Sequence, residues 1–361
     1  MSYNGTKIVD FDSHLVGDVA QWANFIDDQW KDYLPVPLPT GPEERRRTLI
    51  GNQIMIGAEV TRNSGEKPTW ATENDYTAEG RVANLNKDQI DVAILSPNSP
   101  ALDLAWFPED PRLAAAFCRA ENGYMAHYSS FFPDRLKWAG LIPWQDAEEA
   151  VKELHRAHEM GSVGINMKAV PVLGRECWDR YYDPVYAELE KLGMPIIIHD
   201  TKFWSMGVER FADNFFYSHM VGRVIEGMVM LMAIVCGGVL ERYPGLKVVL
   251  LEGGASHMPW WVSRMDEHYE KLPHLVPWLK MKPSEYFNRQ VYVGCEPFED
   301  AHFEMAIEVL GDDNFVLATD NPHWDSAPPG EVTKPVFEST RLSEETKHKV
   351  LGGNAASLIP L

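Results

Sequence analysis

The sequence predicts an α/β fold, a closed (β/α)8 TIM barrel, formed by one domain over residues 1–361 with an insertion at about residues 20–85. Three observations carry that prediction. Four apolar, strand-like runs each end in side chains that bind metals: IVDFDSH at 8–14, MPIIIHD at 194–200, LKVVLLEGG at 246–254 and NFVLATDNPHWD at 314–325. Short runs rich in Val, Ile and Leu recur at helix-length intervals, the pattern of βα units that feed a parallel sheet. Ligands so far apart in sequence meet only where parallel strands open onto a common mouth, as they do in a β/α barrel.

Strand one is expected at 7–12. The interval before strand two, at 91–96, is about twice what a barrel needs, so something is inserted there. The insert carries YLPVPLPTGP, the basic Arg45, Arg46 and Arg47, and the polar stretch GAEVTRNSGEKPTWATENDY. It reads as a lid or oligomer contact, or equally as a solvated excursion. Strands follow at 136–142, 163–167, 195–199, 247–252, 290–295 and 314–319, and eight of them favour a closed barrel over an open sheet. Between strands three and four, DAEEAVKELHRAHEM at 146–160 reads as an amphipathic helix with acids in its first turn, where the helix dipole favours them. A second irregular region, TKFWSMGVERFADNFFYSHM, follows strand five.

Composition narrows the partners. The 53 acidic and 33 basic residues leave a net charge of -20, which makes nucleic acid and anionic membranes poor partners. The apolar stretch 228–240 is too short to span a bilayer and contains Gly237-Gly238, so it reads as a buried helix. Cys118, Cys177, Cys236 and Cys295 recur every 59 residues in unrelated contexts, so the spacing is coincidental. With no CxxC pair and no signal-peptide pattern in MSYNGTK, a reducing, cytoplasmic setting is expected. No nucleotide fingerprint, Walker motif or GxSxG elbow is present.

The strand ends carry the chemistry. Asp12 and His14 lie two apart, so one side of a strand presents both to one ion. His199 closes a run of three isoleucines, and Asp320 closes FVLAT. A lone His at a strand end is usually a satisfied hydrogen-bonding residue, but four independent strand ends together point to metal.

Taken in order, DFDSH, IIIHD, RYPGLKVVLLEGGASHMPWWVSRMDEH and ATDNPHWDS resemble the amidohydrolase superfamily along nearly the whole chain. The likeness is to the branch of aminocarboxymuconate-semialdehyde decarboxylase and the resorcylate decarboxylases. It implies a divalent ion held by Asp12, His14, His199 and Asp320, and a homodimer. One position departs from the branch. Those decarboxylases carry a strand-six His in an HGG motif that acts on the substrate or its activating water, whereas this chain has Glu252 in EGGASH. An ionised carboxylate only accepts hydrogen bonds, so the decarboxylase mechanism does not transfer unchanged. Glu252 then serves as a general base or binds metal.

Further acids and histidines cluster near these ends. Glu296 follows strand seven, and His257 and His323 lie just beyond strands six and eight. Glu296 and His323 either complete a second ion site or orient the ligands of the first. Lys168, ending GINMK, is a metal bridge if carboxylated, a partner for a substrate carboxylate, or a plain ion-pair residue. His219 follows strand five, while His127, His268, His274 and His302 fit no strand-end pattern.

The leading function is hydrolysis or non-oxidative decarboxylation of a small, apolar or aromatic carboxylated molecule, with Asp320, Glu252 or His257 handling protons. Zinc, manganese or iron would suit the ligands, as one or two ions. Phe203, Trp204, Phe215, Phe216, Trp260, Trp261 and Trp324 are expected near the site, with Lys168, Lys202 or Arg223 meeting a substrate carboxylate. Two other classes remain open: a non-haem iron oxygenase, and a barrel kept only for binding.

Overall fold

The computed structural model describes residues 3, 5–16, 19–41, 44–60, 70–97, 99–106, 108–199, 214–296, 299, 301–323 and 325–361. The strands among them are β1 (Val9–Leu15), β2 (Val36–Leu38), β3 (Arg45–Ile50), β4 (Gln53–Val60), β5 (Val92–Pro97), β6 (Leu136–Gly140), β7 (Ser162–Met167), β8 (Ile196–Ile198), β9 (Val248–Leu250), β10 (Val291–Cys295) and β11 (Phe315–Leu317). Eight form one parallel sheet in the order β1-β5-β6-β7-β8-β9-β10-β11. The edges meet at the mouth, where His14 N donates to Asn321 O at 2.8 Å and Asp320 N to Asp12 O at 2.9 Å. All eight expected strands are present; β6, β8, β9, β10 and β11 are one to three residues shorter than expected, and β1 and β7 are each one residue longer.

Alternation along the strands separates two cores. Ile197, Val249, Val316 and Val92 point into the barrel, together with Ala355, Leu358 and Ile359, which the C-terminal helix Asn354–Leu358 and the residue after it insert. Ile196, Ile198 and Val248 face the outer helices. Each such fully buried aliphatic side chain contributes about 1.5–3 kcal/mol through burial.

The expected helix at 146–160 is Ala147–Glu159, started by Asp146, whose side chain accepts from Glu148 N and Glu149 N. Among the described residues, the excursion after β1 holds three short 3-10 turns and an antiparallel sheet, β2-β3-β4, and leads into helix Ala78–Lys87. Arg45, Arg46 and Arg47 begin β3.

The stretch 228–240 behaves differently from expectation. The helix starts earlier and runs Phe215–Cys236, 22 residues, so length alone no longer separates it from a membrane span. Its window His219–Cys236 has a mean hydropathy of 1.6. Leu231, Ile234 and Val235 on it are nonetheless fully buried in the outer core. It ends at Cys236, just before Gly237-Gly238, where Gly238 adopts φ +78°, a left-handed conformation that disfavours a side chain.

Candidate metal centre and pocket

A shift in register decides what strand one presents. Val9 and Phe11 pack inside the barrel, so strict alternation would turn Asp12 and His14 outward. The pairing of β1 with β5 slips between Asp10 and Ser13, and above the slip His14 pairs with Ser96, on the inner side of β5. His199 keeps the inward parity of Ile197, and Asp320 that of Ala318. Glu252 follows the inward Leu251, and its left-handed backbone, φ +57°, breaks the alternation there. Asp320 is also left-handed, at φ +53°. Strained backbone of this kind concentrates at functional sites.

Four side chains therefore converge. Asp12 Oδ1 lies 3.1 Å from His199 Nε2 and 3.4 Å from His14 Nε2, and His14 Nε2 lies 2.9 Å from Asp320 Oδ1. Asp12, His14 and His199 are buried. Both ring nitrogens of His14, His199 Nδ1 and Asp12 Oδ2 have no hydrogen-bond partner among the described residues. Buried polar atoms left this way cost about 1–3 kcal/mol each, and converging lone pairs are what a cation relieves. Two imidazoles and two carboxylates fit zinc, manganese or iron.

The electrostatics agree. Burial alone would push the Asp12 carboxyl up, yet His199 and His14 hold it at about 2. Burial alone would lower His14, but Asp12 and Asp320 raise it to about 10. Against burial, His323 and His14 hold Asp320 well below the usual carboxylate range. His199 is raised by Glu252 and Asp12 in opposition to its own burial. The site thus attracts positive charge, and a divalent ion would displace protons from it.

Glu252 faces this cluster, with Oε2 3.9 Å from His199 Nδ1 and Oε1 3.8 Å from His323 Nδ1. Among the described residues its nearest partner is Arg223 of helix Phe215–Cys236, whose Nη1 forms a short ion pair with Oε2. That pairing gives the Glu252 carboxylate an adjacent cation, beside the roles of general base or metal ligand expected of it. Arg223 is correspondingly engaged by the protein, and its Nε also donates to His219 Nε2 at 3.2 Å. His323 packs on His14 at 3.9 Å between ring centroids, and its Nδ1 lies 2.7 Å from Asp320 Oδ1.

A cavity of about 540 Å³ opens beside the cluster. Glu252, Asp320, Glu296, His219, His257 and Arg223 are among its lining residues. Burial, followed by the charges of Asp320 and Glu299, pushes the Glu296 carboxyl well above its ordinary range, which favours its protonated form. His257 is kept neutral by burial, at about 4, and its Nε2 has no hydrogen-bond partner among the described residues. His302, which follows no strand-end pattern, also lines the cavity. Glu299 accepts from Ala255 N, Ser256 N, Ser256 Oγ and Glu296 N, and so holds the loop after β9. At Gly254, φ +69°, a Cβ would come within 2.7 Å of Glu299 Oε1, so this close approach requires glycine.

The frame behind the ligands includes residues not anticipated. Arg81, buried on helix Ala78–Lys87, donates from Nη2 to His14 O at 2.6 Å and from Nη1 to Asn321 O at 2.9 Å, Asn321 Oδ1 and Ser13 Oγ. Asp10 accepts from Thr319 Oγ1 at 2.7 Å and Thr319 N at 3.1 Å. Both tie β1 to the strand-eight loop. The only sequence signal was an arginine on the inner face of a helix.

Other expectations resolve as follows. Lys168 pairs with Asp103 at 2.8 Å, the plain ion pair. Phe216 and Trp260 point outward, at 69% and 60% exposure, because they sit on the outer faces of their helices. Trp261 turns away as well, donating to Met228 O. Lys202, Phe203, Trp204 and Trp324 lie outside the described residues, as does the Phe215 side chain.

The amidohydrolase family model matches residues 79–361. The chain belongs to that family. This amidohydrolase is 28% identical over 291 residues to 2-amino-3-carboxymuconate-6-semialdehyde decarboxylase of Dictyostelium discoideum, covering 80% of this chain and 78% of that one. An amidohydrolase structure from Mycobacterium avium subsp. paratuberculosis superposes with a TM-score of 0.80 at 18% identity, covering 98% and 99% of the two chains. A dihydroxybenzoic acid decarboxylase structure from Polaromonas, with bound manganese and the inhibitor 2-nitroresorcinol, gives 0.66 at 20% identity, covering 98% and 96%. Two of the three are named as decarboxylases, and none bears the name of an oxygenase.

Proposed function

We propose that this amidohydrolase is a metal-dependent carboxy-lyase that removes a carboxyl group, without oxidation, from a small aromatic or conjugated carboxylate. One divalent ion would be held by Asp12, His14, His199 and Asp320. The observation that carries the reading is the convergence of these four strand ends on buried, unpartnered nitrogen and oxygen atoms. The names of the relatives support the reaction class, and the manganese in the Polaromonas enzyme supports a divalent metal.

When bound, such an ion polarises substrate oxygens and lowers the pKa of water. The protein supplies the rest. The cavity accepts a ring-sized molecule, and Arg223 places fixed positive charge on its wall. Loss of carbon dioxide breaks one carbon–carbon bond and leaves its electron pair on carbon, which must take up a proton. Glu296, a carboxyl lining the cavity whose hold on its proton is strengthened by burial, is the group suited to deliver it. Asp320, held ionised, acts as acceptor and orients the nearby groups.

The test is direct. Purified protein reconstituted with manganese or zinc would be offered ortho-hydroxybenzoates under anaerobic conditions, with carbon dioxide release followed. Turnover without oxygen supports a lyase; turnover only with iron and oxygen would overturn the reading. A cytoplasmic homodimer completes the proposal, and the four cysteines, free in the structure, suit a reducing compartment. Light scattering should give about twice the 40.9 kDa chain mass, and a monomer at micromolar concentration would refute the dimer.

A further inference from the structure

One polar group in the cavity is not used by the metal centre. His257 lines the cavity, yet it belongs to neither cluster of possible ligands among the described residues. Its Nε2 is buried and has no hydrogen-bond partner among them. Nor does the ring hold the loop in place. That is done by Glu299, which accepts from Ala255 N and Ser256 N, and by helix Met258–Lys271, whose Trp261 N donates to His257 O at 3.1 Å. A backbone fixed on both sides thus presents a pre-placed imidazole to the cavity. Its Cε1, the carbon between the two nitrogens, lies 3.9 Å from where a Cβ on Gly253 would stand, next in the chain to Glu252. A buried polar atom of this kind costs about 1–3 kcal/mol until something pairs with it.

We propose that His257 is a specificity-determining residue, which takes a neutral hydroxyl group carried on the ring of the substrate, outside the metal cluster. The inference rests on the carboxy-lyase reading and names a substituent that its substrate carries. Two observations select a hydroxyl. Burial keeps the imidazole neutral, so it offers one N–H and one lone pair, and a hydroxyl, which both donates and accepts, satisfies either nitrogen. A second carboxylate would instead enter a predominantly acidic wall. Glu252, Glu296, Glu299, Asp320 and Asp325 all line the cavity, and the one guanidinium among the described lining residues, that of Arg223, is paired with Glu252. A neutral imidazole is also a poor proton donor, which separates His257 from the protonation step given to Glu296.

The test is a binding series on manganese-loaded protein. Calorimetric titration would compare 2-hydroxybenzoate with the isomeric dihydroxybenzoates that carry a second hydroxyl elsewhere on the ring, with carbon dioxide release followed in parallel. At least one isomer should bind the natural chain about tenfold more tightly than 2-hydroxybenzoate, the gain of one net hydrogen bond. His257→Phe, which keeps a planar ring, should lose that gain while holding 2-hydroxybenzoate within about twofold of the natural affinity. His257→Gln keeps a donor and an acceptor and should retain most of it. A carboxylate in place of the second hydroxyl should give the natural chain no gain. Circular dichroism would verify folding, and His257→Met, with the same expectation, replaces His257→Phe if that variant does not fold. No preference for any isomer in the natural chain, or a preference that survives in a folded variant without the imidazole, would overturn the proposal and leave the lyase reading intact. Selective binding that depends on His257 but releases no carbon dioxide would support the subsite and overturn the lyase reading, whereas failure of every acid to bind would overturn both.

Discussion

Arg81 offers the sharpest test of how the fold holds the metal centre. Its guanidinium reaches from an outer helix to the seam between the first and last barrel strands, donating to the carbonyls of His14 and Asn321 and to the side chains of Asn321 and Ser13. Arg81→Met keeps most of the buried stem and removes every one of these donors. Hydrogen bonds from a charged donor contribute about 1.5–3 kcal/mol each, but the variant also escapes the cost of burying a charge, so the contributions do not simply add. The acceptors are neutral, and one left buried without a partner costs about 1–3 kcal/mol, so a loss of at least that size is expected here. The acceptors left behind belong to the segments that carry Asp12, His14 and Asp320. Manganese affinity should therefore fall by about 10–100-fold, the usual cost of losing a group that orients ligands. Urea unfolding of the metal-free protein and calorimetric titration would measure the two effects separately. Stability within about 0.5 kcal/mol of the natural chain, as for an inert surface change, together with unchanged metal affinity, would refute the clamp.

Three further outcomes follow from the same structure. Glu121, buried and accepting from Trp22 Nε1 at 2.5 Å, has its carboxyl raised by burial from 4.5 to about 7. The folded chain therefore holds this proton more tightly than the unfolded one, so the contribution is fully present below about pH 4.5 and is lost as pH rises through about 7. The difference is on the order of 3 kcal/mol, and Glu121→Gln should remove that slope in unfolding measured from pH 4 to 8; an unchanged slope would clear Glu121 of the role. Glu296→Gln keeps the shape but not the proton, and turnover should drop about 10²–10⁴-fold with metal content intact, whereas full activity would show that the proton comes from elsewhere. His199→Ala removes one of the four ligands, so metal should be lost on dialysis together with activity; full metal occupancy would place the ion elsewhere.

Much of this protein was legible in its sequence because the determining features are local. Eight runs of Val, Ile and Leu at helix-length spacing specify a parallel barrel, since strands buried on both faces must be apolar throughout. Asp12, His14, His199 and Asp320 stand out because each closes such a run, and a barrel brings every strand end to one mouth. The remainder depended on contacts between distant segments. Period-two alternation would turn Asp12 and His14 away from the interior occupied by Val9 and Phe11, and only the register slip against β5 brings them inward. Aromatic residues near the motifs suggested a pocket wall, yet helix rotation turns Phe216 and Trp260 outward. Glu252 read as a metal ligand or a general base because nothing in the chain around it shows that Arg223, on helix Phe215–Cys236, closes onto its carboxylate. Side-chain type and spacing determine which groups can reach the mouth of the barrel. Which charge meets which is decided only when the helices dock, because such pairings join residues far apart in the chain.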